Sequence, residues 1–518
     1  MNKSFLYTVR VRFLASIVGN LGRGALNFLT MMLVARFLLP HDYGKLCFLL
    51  TGVLAFIQLF DQGVASAFYT FITRNSPRAM DYVVYVLWLL FQLILVMGFF
   101  IFFGSTSWFS VLWNHAPKHL VELVFFVLFF RQLIWSSVIR YAEAKRQTVL
   151  IQGVTVFCSS LYLFSIIVFH YYFGLTVQSF CWITVGMYVF FSTVTLAYLV
   201  PWEDFFIGLN SLNFLEARAS LSEYFSYSRP LVFMAIVTFF YTFLETWMLS
   251  HFAGASQQGY FQVAFQFVGI ALLSATALMN IFGKELSVLY SSNASSEKLY
   301  ELFRKVFRVV FLLSAMTAGF LIAWAKVIIL IFLGAAYLPS EKILVIIFIN
   351  VIYVAIGQVL SMVYLMTLRT RIYAWINIVP MIVSVPVTYL ILAPTHHAGV
   401  PGLNLQAFGF ALKLLVLGWF TANSMHFILC YLNKWPYDWS VQFITIGFFL
   451  ILGFGVHALV LSIATFFLGG SWASHLSAFL LAAALYGILS LCAVLLWTSV
   501  LVGMDRRSLL GLFRLNVK

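Results

Sequence analysis

The sequence predicts an all-α integral membrane protein of about fourteen transmembrane helices. They are expected as two six-helix lobes in parallel repeat plus two extra C-terminal helices. Three observations carry that expectation. Of the 518 residues, 63% are hydrophobic and only 9% are charged, whereas soluble domains are about a quarter charged. Fourteen apolar segments each reach the ~20 helical residues that a hydrocarbon core of about 30 Å requires. A short sequence at the end of the first segment also returns at the end of the seventh: Phe37 meets Phe252 and Gly44 meets Gly259 at the same offset.

The first span, 13–38, follows Lys3, Arg10 and Arg12 and runs on without a small-residue cleavage site, so it reads as a retained helix and not as a signal peptide. Spans at 45–72, 82–103, 119–140, 148–172 and 177–199 complete an N-lobe over residues 1–200. Residues 201–228 read as a cytoplasmic linker. Spans at 229–252, 260–283, 309–332, 343–367, 372–393 and 404–432 form a C-lobe over 229–433. Pro380 and Pro386 mark the eleventh span for a kink. Residues 434–518 hold the last two spans, 440–467 and 476–502, and a cytoplasmic tail. Ahead of the ninth span, Leu299, Phe303, Val306 and Phe307 share one face opposite Glu297, Glu301 and Lys305. That pattern predicts an amphipathic helix on the inner surface.

The net charge is +14, yet its distribution argues against nucleic acid as a partner. With the N-terminus inside, most Lys and Arg fall in alternate connections, including Arg74, Arg140, Lys145, Arg218, Lys298, Arg369 and Arg506. The intervening connections hold few, such as Lys45, Lys118 and Lys342. This bias places both termini in the cytoplasm. The five cysteines are scattered through apolar segments in no metal-binding or disulfide pattern. No cofactor or metal is expected.

Charges inside the spans carry the functional signal. Ser16, Asn20, Arg23, Asn27 and Thr30 recur every three or four residues and share one helix face. A cation near the bilayer centre costs roughly 2.5–3.5 kcal/mol even on lenient scales. A polar cavity accounts for a full charge there. A helix–helix seam through Gly19, Gly22 and Gly24 accounts for the small residues. Arg131, Lys413, Asp61 and Glu245 are the other charges well inside spans, and Gln262 and Gln266 extend the polar faces. An even number of spans between the two copies of the repeat gives both halves one orientation.

The blocks Ala35–Gly44 and Phe60–Phe68 resemble the start of polysaccharide flippases of the O-antigen and exopolysaccharide type. Gly259–Ala264, Leu286–Tyr290, Ile331–Tyr337 and Gly399–Gly402 follow in the order such proteins show. The likeness covers roughly residues 10–430. That family shares a superfamily with lipid II flippases and with multidrug and toxic compound extrusion antiporters. The chain departs from it at Lys284, where relatives often carry proline, and at Glu245, where they often carry aspartate.

The resemblance implies alternating access around a central cavity. Its substrate would be an undecaprenyl-pyrophosphate-linked oligosaccharide, carried from the cytoplasmic to the periplasmic leaflet of the bacterial inner membrane for surface polysaccharide biosynthesis. Arg23, Arg131 and Lys413 are then the cations expected to hold the pyrophosphate, since a guanidinium fork pairs with two oxygens at once. Asn20, Asn27, Gln262 and Gln266 are expected to line the cavity. Glu245 and Asp61 are candidates for ion coupling, with internal ion pairing or capping of a helix break as the structural alternatives. Membrane lipids and other polysaccharide assembly proteins are the expected partners. A cation-coupled multidrug antiporter is the alternative; it calls for acidic cavities, and here basic residues outnumber acidic ones in the spans. The sequence has no P-loop, no H-E-x-x-H and no G-x-S-x-G run, so no enzyme is expected.

Overall fold

The computed structural model describes residues 3–61, 63–73, 79–199, 214–292, 295–395, 401–437, 440–467 and 472–501. Every regular element among them is helical. Among the described residues, twelve helices are long and apolar enough to cross a membrane. The first of these, Ala15–Asp61, carries two of the predicted spans. The eighth predicted span is divided between two shorter helices, Ala255–Ala271 and Leu273–Ser291. The chain is therefore a multi-pass membrane protein with a helix count near the fourteen that hydropathy predicts. By packing it divides into two compact units, Met1–Gly259 and Tyr260–Lys518.

In the first unit, α1 (Lys3–Asp61) bends at Leu39, where φ is 62° and ψ is 167°. Pro40 explains the bend: it lacks an N–H and its ring pushes the preceding residue out of the helical region. A second break follows at Gly63, whose φ of 83° opens α2 (Val64–Ile72). The unit continues through α3 (Ala79–Phe103), the short α4 (Ser107–Leu112) and α5 (Lys118–Leu128). A π-helical turn at Phe129–Ile134 joins α5 to α6 (Trp135–Ala144). Then come α7 (Thr148–Phe173), α8 (Val177–Leu199) and α9 (Phe214–Met248).

The helix α9 begins inside the stretch that hydropathy assigns to a connector. Its start is polar, so no apolar pattern announces it. Side-chain bonds to α3 hold it instead: Ser220 donates to Asp81 Oδ1 at 3.1 Å and Tyr224 donates to the Asp81 carbonyl at 3.2 Å. Farther along, Phe239 and Phe243 close on Phe56 of α1, with ring centroids 4.9 and 5.4 Å away.

The two copies of the repeated turn touch each other. A Cβ on Gly44 would lie 1.8 Å from the carbonyl oxygen of Ala255, and one on Gly259 would lie 2.2 Å from that of Pro40. Pro40 and Ala255 occupy equivalent places in the repeat, as do Gly44 and Gly259. The contact is thus reciprocal, like that across a two-fold axis.

The second unit contains α10 (Ala255–Ala271, shared with the first unit's last residues), α11 (Leu273–Ser291), α12 (Ser296–Ala323) and α13 (Ala325–Phe332). After a 3₁₀ turn at Ala335–Ser340 come α14 (Glu341–Met366), α15 (Thr370–Leu392) and α16 (Gln406–Asn433). Finally there are α17 (Ser440–Phe467), α18 (Trp472–Leu496) and the single turn α19 (Thr498–Leu501). Pro380 and Pro386 lie inside α15 without ending it.

The amphipathic stretch before the ninth span is not a separate surface helix. It is the first part of α12, continuous with the span. Its apolar face is covered: Trp435 stacks on Phe303 at 5.4 Å and donates its indole N–H to Ser296 at 3.1 Å. Glu301 and Lys305 pair on the other side. The final two spans pack on this same helix. A Cβ on Gly453 of α17 would lie 2.2 Å from the Gly319 carbonyl, and Tyr486 of α18 donates to the Met316 carbonyl at 2.8 Å.

Candidate functional site

The polar stripe of α1 serves two purposes along its length. At Gly19 the helix lies against α7, where a Cβ would meet Gln152 Oε1 at 2.5 Å. One turn on, the stripe opens. Asn20 is exposed and Arg23 and Asn27 are half-buried. Arg23 Nη2 donates to Asn20 Oδ1 at 3.1 Å, and Asn20 Nδ2 donates to Ser16 at 3.3 Å. Thr30 is enclosed at 1% exposure and returns its hydroxyl to the Leu26 carbonyl. Most of the Arg23 fork is therefore left for something other than its own helix.

Asp61 sits at the second break. Its Oδ1 accepts the N–H of Ala65 at 3.3 Å, as a helix-capping carboxylate does. Arg140 and Glu143 lie one turn apart on α6. Two contacts fix the helices that carry these groups. Tyr85 of α3 shares a hydrogen bond with Ser137 of α6 at 2.6 Å, and Phe68 of α2 stacks on Tyr85 at 3.9 Å.

Arg131 lies on the π turn between α5 and α6. Such turns shift one residue out of the regular helical register and recur at functional sites. Its guanidinium is 5.8 Å from the Tyr188 ring centroid. The Tyr188 ring packs in turn on Tyr162, with ring centroids 6.1 Å apart. Tyr162 is itself held by Thr184 at 2.8 Å. Among the described residues no carboxylate lies within 4 Å of Arg23, Arg131 or Arg140.

The other expected residues are spread more widely. Glu245 of α9 is buried, with 4% of its surface exposed. Gln262 and Gln266 are half-buried one turn apart on α10. Lys413 of α16 is 3% exposed. Its ammonium donates to Thr388 Oγ1 of α15 at 2.8 Å and lies 4.2 Å from the centroid of Phe410. It ties two neighbouring helices together.

Sequence reasoning missed the partners. Arg140 enters the sequence reading only as part of the charge bias, since it stands at a span end beside Lys145 and Arg146. Its i, i+3 spacing to Glu143 was the available signal. Tyr162 and Tyr188 are two of 25 tyrosines and no local pattern sets them apart.

The fold recurs in solved structures. It matches a structure described as lipid II flippase MurJ in an inward closed conformation, with a TM-score of 0.63 at 13% identity, over 92% of this chain and 98% of that one. It also matches a MATE family multidrug resistance transporter of the MOP superfamily in an inward-facing conformation, with a TM-score of 0.59 at 15% identity, over 80% and 96% of the two chains. The outward-facing form of such a transporter gives 0.53 at 15% identity, over 82% and 95%. No curated protein sequence matches the chain. The family described as "Polysaccharide biosynthesis protein" matches residues 33–342, and the chain belongs to that family.

Proposed function

We propose that the protein is a flippase for undecaprenyl-pyrophosphate-linked oligosaccharides. It works by alternating access and is not an enzyme. It resides in the bacterial inner membrane with both termini cytoplasmic, and delivers its lipid-linked glycan to the periplasmic leaflet for surface polysaccharide assembly. Membership of a polysaccharide biosynthesis family supports this reading, as does a fold shared with a lipid II flippase.

The observation that carries it is the state of Arg23. This guanidinium is half-buried on an apolar helix, spends one donor on Asn20, and has no carboxylate within 4 Å among the described residues. A diphosphate supplies the missing acceptors, and fork-to-phosphate geometry suits it. Arg131 joins it as a second cation, and Asn20, Asn27, Gln262 and Gln266 meet the sugars. Lys413 takes a helix-tethering role in this proposal because its ammonium is enclosed and already bonded. The halves at 1–200 and 229–433, with the linker 201–228 between them, act as the two moving repeats; Glu245 remains the candidate for ion coupling.

The test is reconstitution into vesicles with a lipid-diphosphate oligosaccharide in one leaflet, read by lectin access. Protein-dependent loss of lectin access supports the reading. Vesicles that move a cationic drug but no glycolipid would assign the antiporter class instead.

A further inference from the structure

A cavity of about 60 Å³ lies inside the first unit, between α1, α3 and α5, and only apolar side chains line it. Burial grades across it. Val96 and Phe100 of α3, Phe125 of α5 and Trp113 of the α4–α5 connection are buried and form its back wall. Phe56 and Phe60 of α1 and Leu95 and Phe99 of α3 are half-buried and form its rim. The back wall is held firmly. Trp113 fills a notch at Gly52, where a Cβ would lie 3.0 Å from its ring, and Phe243 meets it edge-on with centroids 6.0 Å apart. The rim continues outward along α3. Phe91, Leu95, Phe99 and Phe103 follow one another at four-residue spacing on one face, and Phe91 and Phe103 are exposed.

Three properties limit what fits. Walls of carbon give phosphate, sugar and water nothing to bond, and α3 crosses the membrane, so hydrocarbon is what stands at the rim. A water-sized group needs roughly 10–15 Å³, so the cavity holds about four to six carbon-sized groups, the size of one isoprene unit. The depth also matters. As consecutive spans, the two halves of α1 cross in opposite directions from the bend at Leu39. Arg23 and Phe56 stand about 24 and 26 Å from that bend at ~1.5 Å per residue, so the cavity is level with the cation.

We propose that this cavity seats one isoprene unit of the substrate's polyprenyl chain, which enters from the bilayer between α1 and α3. The methyl branch of the unit fills the space between fixed aromatic rings. Its double bond leaves the chain fewer rotors to immobilise than a saturated acyl chain has, so less entropy is lost on binding. Arg23 takes the diphosphate and the cavity takes chain at the same depth, so the first unit reads the lipid at both head and tail. The inference rests on the flippase reading and adds a selectivity for the chain.

The experiment uses the full-length protein in phosphatidylcholine nanodiscs and a farnesyl diphosphate analogue that carries a diazirine on its last isoprene unit. Light is expected to attach the probe to residues 91–103 and to Trp113, read by mass spectrometry of the digested protein. Unlabelled farnesyl diphosphate should suppress that labelling at about one tenth of the concentration that dodecyl diphosphate, a straight saturated chain, requires. Val96→Phe fills the cavity and should weaken farnesyl diphosphate binding about tenfold, with binding of inorganic pyrophosphate unchanged. Thermal melting verifies folding, and if Val96→Phe does not fold, the labelling map and the chain competition decide.

Labelling spread evenly over the exposed apolar helices, with no enrichment at 91–103 or Trp113, would overturn the seat while leaving the flippase reading intact. Equal competition by dodecyl diphosphate would overturn the isoprenoid assignment. Enriched labelling in a protein that moves no glycolipid in vesicles would support the seat and sink the flippase reading.

Discussion

Arg23 in the first unit and Lys413 in the second are both cations on apolar helices, and the two units house them differently. Lys413 is enclosed, bonded to Thr388 and set over the Phe410 ring. A desolvated cation over an aromatic face gains on the order of 2 kcal/mol, so this arrangement stabilises the packing of α15 on α16. Arg23 is half-buried, with one bond to a residue of its own helix. An enclosed cation that is already bonded suits a tether. A partly open cation with unspent donors suits a ligand that comes and goes.

The contrast can be broken in several ways. The largest effect is expected from Arg23→Glu. It should cut glycolipid movement in vesicles at least about tenfold, equivalent to roughly 1.4 kcal/mol or more of lost interaction, while melting stays near that of the wild type. If movement persists at normal protein level, Arg23 is not a headgroup residue.

Lys413→Met should do the reverse. It should lower stability by about 1–3 kcal/mol through the lost bond and its orphaned acceptor, seen as a lower melting midpoint, with movement per folded molecule retained. Normal melting combined with lost ligand affinity would move Lys413 to the ligand side of the comparison.

A smaller change is expected from Tyr162→Phe, which keeps the ring beside Tyr188 and removes the hydroxyl that bonds Thr184. The cost should be about 1 kcal/mol, read by thermal melting with diphosphate present and absent. An equal drop in both conditions identifies a scaffold contact, and a drop only with ligand identifies a contact made during binding.

Salt should have the mildest influence. Raising ionic strength from about 0.1 to 1 M shortens the screening length from ~10 to ~3 Å. Diphosphate affinity at the half-open Arg23 should fall a few-fold, whereas the melting contribution of the enclosed Lys413 should not change.

The helices themselves were legible because long apolar runs need no partner to declare them. The bend at Pro40 was legible for a similar reason, since its cause is local. The beginning of α9 was not, because its helicity depends on Ser220 and Tyr224 reaching Asp81, a contact 139 residues distant in sequence for the first of them. The amphipathic face of α12 was read correctly as a face, but what covers it is Trp435, far along the chain.

The site was readable by residue type and not by pairing. Arg23 and Asp61 stood out because a charge in an apolar run is costly wherever the fold puts it. Their neighbours did not stand out. Arg140 sits where a topology-setting arginine is ordinary, and the polar partner of Lys413 is a threonine, a residue too common in these spans to single out.

The touching glycines at 44 and 259 have an evolutionary side. Because each copy of the repeat supplies both a glycine and the carbonyl that the other glycine meets, the two copies are not free to diverge independently at this turn. A side chain added to either one collides with the backbone of its counterpart, and no substitution in the counterpart's side chains can relieve a clash with a carbonyl. If the halves arose by duplication, this turn is where the ancestral self-complementarity is still enforced. It explains why a glycine is among the few identities that remain between the copies.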